Sequence, residues 1–331
     1  MPQFAYFCGH EQFQPEVLLE HAVLAESVGF DALTVSDHFH PWVDDASACG
    51  FAWTWMGALA ARTNRVRIAT AVTCPLFHYH PGLVAQAAAT VDRLSGGRFA
   101  LGVGTGEGIN ERPLGWEFPG YKERAARMTE AITVMRRLLD GEKLDFTGEH
   151  YQTRRARLYS PPVGRVPIWM SAAGAQSASL AGRLADGLIV SVKVPAEARE
   201  QVIDPCRRAA KEAGRPTPTL VAQRWSILAR DEDEAWQALQ AWRGLRVEGR
   251  LEEVDPAVLR ARADAMDRRE IIGKYAWARK PEDLIEIYRP LVEVGADIVT
   301  LQVTSVNQEQ TIKVLGAEIL PALRRLAPAG A

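Results

Sequence analysis

No apolar run in the 331 residues is long enough to cross a bilayer, and the N-terminus has neither the basic stretch nor the apolar core of a secretory signal. Cysteine is scarce: Cys8, Cys49, Cys74 and Cys206 show no CxxC spacing, so they read as free thiols in a reducing cytoplasm. Charge of one sign is lacking too. A net charge of −2 argues against nucleic acid or an anionic membrane as the main partner, leaving a small molecule. No histidine follows His150, and no low-complexity segment, obvious linker or short internal repeat divides the chain. One domain over 1–331 is the expectation.

What is present is a core-forming composition, 47% apolar, arranged in alternation. Short apolar runs at 3–8, 31–37, 65–73, 98–103, 167–172, 187–192, 219–229 and 297–303 read as strands. Helical spacing fills 15–29, 51–62, 80–94, 121–139, 175–185, 196–214, 231–245 and 281–295, with Pro290 expected to kink the last of these. A final helix carries Ile312, Leu315, Ile319, Ala322 and Leu326, and 328–331 is expected to fray. A hairpin at 145–159 and a charged, helical stretch at 248–272 interrupt the pattern. Eight βα units imply an α/β fold with a parallel sheet closed into a (β/α)8 TIM barrel, with insertions after strands four and seven (about 107–160 and 246–272). Such barrels carry their chemistry at the strand C-termini.

Polar residue types gather at those ends. The second strand stops at Asp37-His38-Phe39-His40-Pro41-Trp42. An imidazole near neutral pKa is the usual base for an alcohol proton, and Glu11 and Glu107 should reach the same rim. The plain alternative is a strand-end turn. His38-x-His40 and His78-x-His80 also suggest shared metal ligands, but the later strands end in Ala, Ser, Arg and Thr, so no metal site is assigned. Gly102-Val103-Gly104-Thr105-Gly106-Glu107 approaches a dinucleotide fingerprint, yet Glu107 replaces the third glycine and the stretch follows the fourth strand. It is either a plain βα turn or a wall that lets a flat ligand approach the backbone. Ala172-Ala173-Gly174-Ala175 opens a helix with small side chains, a weak phosphate seat. The tryptophans of Trp53-Thr54-Trp55, with Trp236 and Trp242, suit a core or an interface.

Taken together, Glu11-Gln12-Phe13, Ser36 through Trp42, Thr73-Cys74-Pro75 with Tyr79-His80-Pro81, Gly102 through Glu107 with Asn110-Glu111, and Ala181-Gly182-Arg183 through Asp186-Gly187 resemble the luciferase-like barrel superfamily. They resemble most closely its branch using the deazaflavin coenzyme F420, the glucose-6-phosphate and alcohol dehydrogenases. The resemblance implies His38 as base, Trp42 beside the reacting centre, Glu107 as acid and Glu11 as a second acid on the rim. It implies cofactor contact by Asp37, Ala71, Val72, Cys74, Glu107, Asn110, Ala173, Gly174 and Ala175, with a non-proline cis peptide at Ala71–Val72. Ser191, Lys193 and Lys274 stand near the positions that bind a sugar phosphate in that branch, whereas Thr73-Cys74-Pro75 looks more like the simple-alcohol enzymes. The implied activity is hydride transfer from an alcohol carbon to F420, with an FMN-dependent monooxygenase or reductase as the alternative. A homodimer is also implied, for which the tryptophan-rich second helix would suit the interface.

Overall fold

The computed structural model describes residues 1–326, so the expected fraying at 328–331 lies outside the described residues. In chain order the elements are β1 (Gln3–Cys8), α1 (Pro15–Ser27), β2 (Ala32–Val35), α2 (Ala52–Arg62), β3 (Arg67–Thr70), α3 (Pro81–Leu94), β4 (Phe99–Val103), α4 (Gly108–Glu111) and α5 (Tyr121–Leu139). The hairpin β5 (Leu144–Thr147) and β6 (Gln152–Ala156) follows, then β7 (Ile168–Ser171), α6 (Ala175–Leu184), β8 (Gly187–Ser191), α7 (Pro195–Ala198), α8 (Asp204–Glu212) and β9 (Thr219–Leu228). The last part holds α9 (Glu232–Ala238), α10 (Pro256–Asp264), α11 (Arg268–Ile272), β10 (Ala276–Ala278), α12 (Asp283–Glu293), β11 (Ile298–Thr304), α13 (Gln308–Val314) and α14 (Leu320–Leu326).

Eight of these strands close a parallel barrel in the order β9, β11, β1, β2, β3, β4, β7, β8, with β8 pairing back onto β9. Because helices cover the outside and side chains fill the inside, both faces of each strand are apolar, which is why the strands read as continuous runs. The lower interior shows how the filling works. Ala5, Ala32, Ala69 and Ala100 from four neighbouring strands leave room for the indole of Trp169, packed with Ile189, Val221 and Ile298. Gly187 is required beside it, since a Cβ there would stand 2.4 Å from Trp169 Cδ1.

Several local expectations change. β3 ends at Thr70, three residues early; Ala71 N–H still donates to the Val35 carbonyl of β2, the Ala71–Val72 peptide is cis, and Thr73 pairs with β4 through a bridge to Val103. The helix expected over 231–245 stops at Ala238 and becomes a 3-10 turn over Arg243–Arg246. There Gly244 packs so closely on Trp42 that a Cβ would lie 2.1 Å from its carbonyl oxygen, and the buried Arg243 is tied to Asp45 and Asp264. These tertiary ties override helix propensity. The helix expected over 196–214 is α7 and α8 joined by a π turn over Arg199–Ile203. α12 continues through Pro290. Strand β10, three residues beside β9, was too short to show a period. The tryptophans of α2 face inward: Trp53 packs on Phe99, and Trp55 packs on His10 and donates to the Pro15 carbonyl, so α2 presents no indole to a partner. No helix among the described residues is long and apolar enough to cross a membrane.

Candidate active site

A cavity opens at the C-terminal ends of the barrel strands. Its walls include Glu11, Asp37, His38, Trp42, Ala71, Val72, Cys74, Glu107 and Asn110, so nine of the residues singled out from the sequence meet there. β1 delivers Glu11, β2 delivers Asp37 through Trp42, β3 the cis segment and β4 the glycine-rich turn with Glu107. The glycines of the β4 turn lie directly against side chains of the turn after β3. A Cβ on Gly104 would come within 2.5 Å of Val72 Cγ2, and one on Gly106, at φ +82°, within 2.7 Å of Cys74 Sγ. The result is a wall without side chains between two polar edges.

His38 is the centre of one edge. Its Nδ1 pairs with the His40 carbonyl at 3.1 Å, which makes Nδ1 the donor and leaves the Nε2 lone pair of the neutral ring facing the cavity. Nε2 lies 3.5 Å from Glu11 Oε1 and 3.5 Å from Glu107 Oε2. Burial alone would push the His38 pKa down. The two carboxylates, the His40 carbonyl and Asp37 outweigh it, and the pKa is raised. Trp42 packs against this imidazole, with ring centres 5.1 Å apart. Asn110 Oδ1 accepts from the Phe39 and His40 backbone N–H groups, fixing the turn that aims His38.

Asp37, on the other side, accepts from the Thr73 hydroxyl at 2.7 Å and the Tyr79 hydroxyl at 3.4 Å. Burial raises its pKa against those bonds and the nearby imidazoles of His78 and His38. Glu111, fully buried, pairs with His78 Nδ1 at 2.6 Å. Burial and the Glu111 carboxylate hold the Cys74 thiol well above its ordinary pKa, so it is neutral. The four histidines suggested as metal ligands are otherwise engaged: His40 pairs with the Val254 carbonyl and His80 accepts from Gly82 at the start of α3. Among the described residues, no group of three His, Cys, Asp or Glu is spaced to hold a metal ion.

Sequence reasoning missed Gln223 and Gln302, which rise from β9 and β11 into the same cavity. The Oε1 atom of each is buried without a hydrogen-bond partner, which is costly unless a ligand donor completes it. Nothing in the strand periodicity distinguishes an inward glutamine from a loop-facing one.

A second cavity shares Trp225 with the first and brings together Ser191, Lys193 and Lys274 with Arg224 and Arg246. Burial, then Arg246, Arg250 and Arg224, lower the Lys193 pKa, as expected for crowded cations. Two arginines of the 246–272 insertion are paired away from this cavity: Arg260 with Asp44 and Arg262 with Glu253. Ala173, Gly174 and Ala175 start α6 beyond Ser171, outside the walls of either cavity, and Ser177 Oγ already accepts from the Ala173 and Gly174 N–H groups at 3.3 Å.

Comparison with known proteins gives a consistent picture. The family model described as luciferase-like monooxygenase matches residues 2–297. The chain is 35% identical to the F420-dependent glucose-6-phosphate dehydrogenase of Nakamurella multipartita, covering 99% of this chain and 98% of that protein. It is 36% identical to the protein of the same name from Microbacterium testaceum, covering 98% of each. The solved structure of an F420-dependent secondary alcohol dehydrogenase in complex with an F420–acetone adduct superimposes with a TM-score of 0.91 at 34% identity, covering 98% of this chain and 100% of that one.

Proposed function

Because this chain belongs to the luciferase-like monooxygenase family, we propose that its barrel mouth is the active site of an F420-dependent dehydrogenase acting on CH–OH groups. The single observation that carries the reading is His38 Nε2, held 3.5 Å from both Glu11 and Glu107 in a cavity that the glycine-rich turn also lines.

The residues fit such a cofactor. Gly104 and Gly106, with Ala71, Val72 and Cys74, give a tricyclic ring a surface free of bulky side chains. The orphaned Oε1 atoms of Gln223 and Gln302 await ring or substrate donors. Asp37 and Asn110 line the same wall. Ala173, Gly174 and Ala175, at the helix start after Ser171, would hold the cofactor phosphate if the Ala173 and Gly174 N–H groups exchange Ser177 Oγ for a phosphate oxygen. When bound, the deazaflavin accepts a hydrogen with its electron pair from the carbinol carbon and does not pass electrons singly to oxygen.

His38 Nε2 takes the hydroxyl proton as the alcohol becomes a carbonyl. Glu11 and Glu107 stabilise the imidazolium that forms, a preorganised electrostatic effect in a shielded site. Trp42 walls the carbinol against His38 and excludes water. Glu107, the more exposed carboxylate, is the second acid–base group facing the ligand. Ser191, Lys193 and Lys274, joined by Arg224 and Arg246, would receive the anionic end of a sugar 6-phosphate, and their cationic cavity favours that substrate over a simple secondary alcohol.

A cytoplasmic location and a homodimer belong to the same proposal. The burial of Cys8, Cys74 and Cys206 as single thiols suits the first. Exposed Leu83 and Leu94, about three turns apart on one side of α3, support the second. One barrel domain accounts for the chain. Parallel titrations of F420 and FMN, followed by fluorescence quenching, test the cofactor: tight F420 binding is expected, and tight FMN binding without F420 binding would favour the monooxygenase alternative. A screen of sugar phosphates against secondary alcohols then tests the substrate.

A further inference from the structure

Arg250 stands against two residues of the first cavity's wall, Glu107 and Trp42. Its Nη1 lies 3.4 Å from Glu107 Oε1, and its guanidinium stands 5.5 Å over the centre of the Trp42 ring. It is also close enough to Lys193 to oppose that residue's charge. Glu107 is therefore shared, with one oxygen toward the His38 imidazole and the other toward Arg250. The backbone that carries Arg250 is pinned across the loop after β4. Gly108 N–H donates to the Leu251 carbonyl at 3.0 Å, Arg112 Nη1 to the Glu252 carbonyl at 2.9 Å, and His40 Nδ1 pairs with the Val254 carbonyl. The side chain itself is 27% exposed.

The neighbouring cations are not neutralised. Among the described residues, Lys193, Arg224 and Arg246 have no carboxylate at ion-pair distance, and Arg246 Nε is buried without a partner. Only Lys274 has one, Glu270 at 3.1 Å. A long ion pair between partly exposed groups is weak, whereas a guanidinium forks strongly onto a phosphate. An oxyanion in the cationic cavity thus competes with Glu107 for Arg250.

The geometry points to Arg250 as a latch: an anionic group entering the cationic cavity draws its guanidinium away from Glu107, and Glu107 is released for acid–base work only when such a ligand is bound. Arg250 is a positioning residue in this scheme, acting through Glu107. The scheme deepens the dehydrogenase reading above, because it rests on Glu107 as the second acid–base group. It would make a phosphate-bearing substrate the trigger for its own turnover and leave neutral alcohols poorly served.

The test is calorimetric titration of inorganic phosphate into the full-length chain and its Glu107→Gln, Arg250→Gln, Arg250→Lys and doubly substituted variants, each checked for folding by circular dichroism. Glu107→Gln removes the competitor, so phosphate should bind about threefold to tenfold more tightly. Arg250→Gln should weaken binding about tenfold, Arg250→Lys should recover part of the loss, and Glu107→Gln should give no gain in the absence of Arg250. An equal gain with and without Arg250 would reveal only a general field effect and overturn the latch. Phosphate binding insensitive to Arg250, or no binding to the unsubstituted chain, would overturn it as well. The titration needs no turnover, so a failure of the dehydrogenase reading would appear separately, as absent cofactor reduction.

Discussion

Glu11 Oε1 stands 3.5 Å from His38 Nε2, while its second oxygen accepts the Ser36 hydroxyl at 2.5 Å. The carboxylate is 2% exposed and held by a neighbour of the residue it serves. It is a fixed counter-charge, aimed at the imidazole by the last residues of two adjacent strands. A base so supported holds its proton to a higher pH than an unassisted imidazole does.

The pH dependence follows. As a base His38 must be neutral, and its pKa is raised above 6.5. The value of kcat/KM should therefore rise with pH through an acid limb centred above 6.5. Glu11→Gln removes one of the charges that favour the imidazolium, so that limb should move to lower pH. A limb that stays in place in Glu11→Gln would show that another group controls it.

Removing the base itself should separate binding from chemistry. His38→Ala is expected to lower kcat by about 10²–10⁴, the usual worth of a positioned acid–base group. Cofactor affinity, read by fluorescence titration, should change little, because the ring wall is built from β3 and β4. Normal cofactor reduction in this variant would remove His38 from the role of base.

The glycine wall gives a prediction with its own control. A Cβ on Gly104 would approach Val72 Cγ2 to 2.5 Å and Ser171 Oγ to 3.0 Å, so Gly104→Ala must shift the wall or the strand end. Such overpacking costs about 1–3 kcal/mol, and both thermal stability and cofactor affinity should fall. Gly174→Ala meets nothing within 4 Å and has an extended backbone at φ −162°, so it should leave stability unchanged. Equal behaviour of the two variants in thermal melting would contradict the packing account.

Much of this was legible in the sequence for physical reasons. Barrel strands are buried on both faces, so each appears as an apolar run, and the chemistry at its end stands out by contrast, as at Asp37-His38 and Gly106-Glu107. Thr73 and Asn110 also came from local motifs. What remained hidden depended on tertiary packing. Gln223 and Gln302 alternate like any strand polar residue, and only closure of the barrel turns them into one cavity. Arg246 and Arg250 lie in a stretch that reads as helix or solvated insertion, and the break after Ala238 is imposed by contacts to Trp42 and Asp45 far away in sequence.

His10 offers a stability test independent of activity. It is buried against Trp55, neither ring nitrogen has a hydrogen-bond partner, and burial lowers its pKa to about 4. Between 6.5 and about 4 the unfolded chain binds a proton that the folded chain refuses, so stability falls as pH falls through that window. The loss is roughly 3 kcal/mol once complete. His10→Phe keeps an aromatic ring on Trp55 and should flatten this part of the melting-temperature profile. An equal acid slope in the variant would place the sensitivity elsewhere.

The central claim is direct hydride transfer from an alcohol carbon with His38 taking the proton, and a single-turnover measurement addresses it. Oxidised F420 bound to the enzyme is mixed without oxygen with glucose 6-phosphate or a secondary alcohol, either protiated or deuterated at the reacting carbon. The deazaflavin's visible absorbance should be lost, more slowly with the deuterated substrate, with the label recovered in the reduced ring and the rate collapsing in His38→Ala. Bleaching that carries no label from the substrate carbon, or no bleaching with any alcohol while F420 is bound, would contradict that claim.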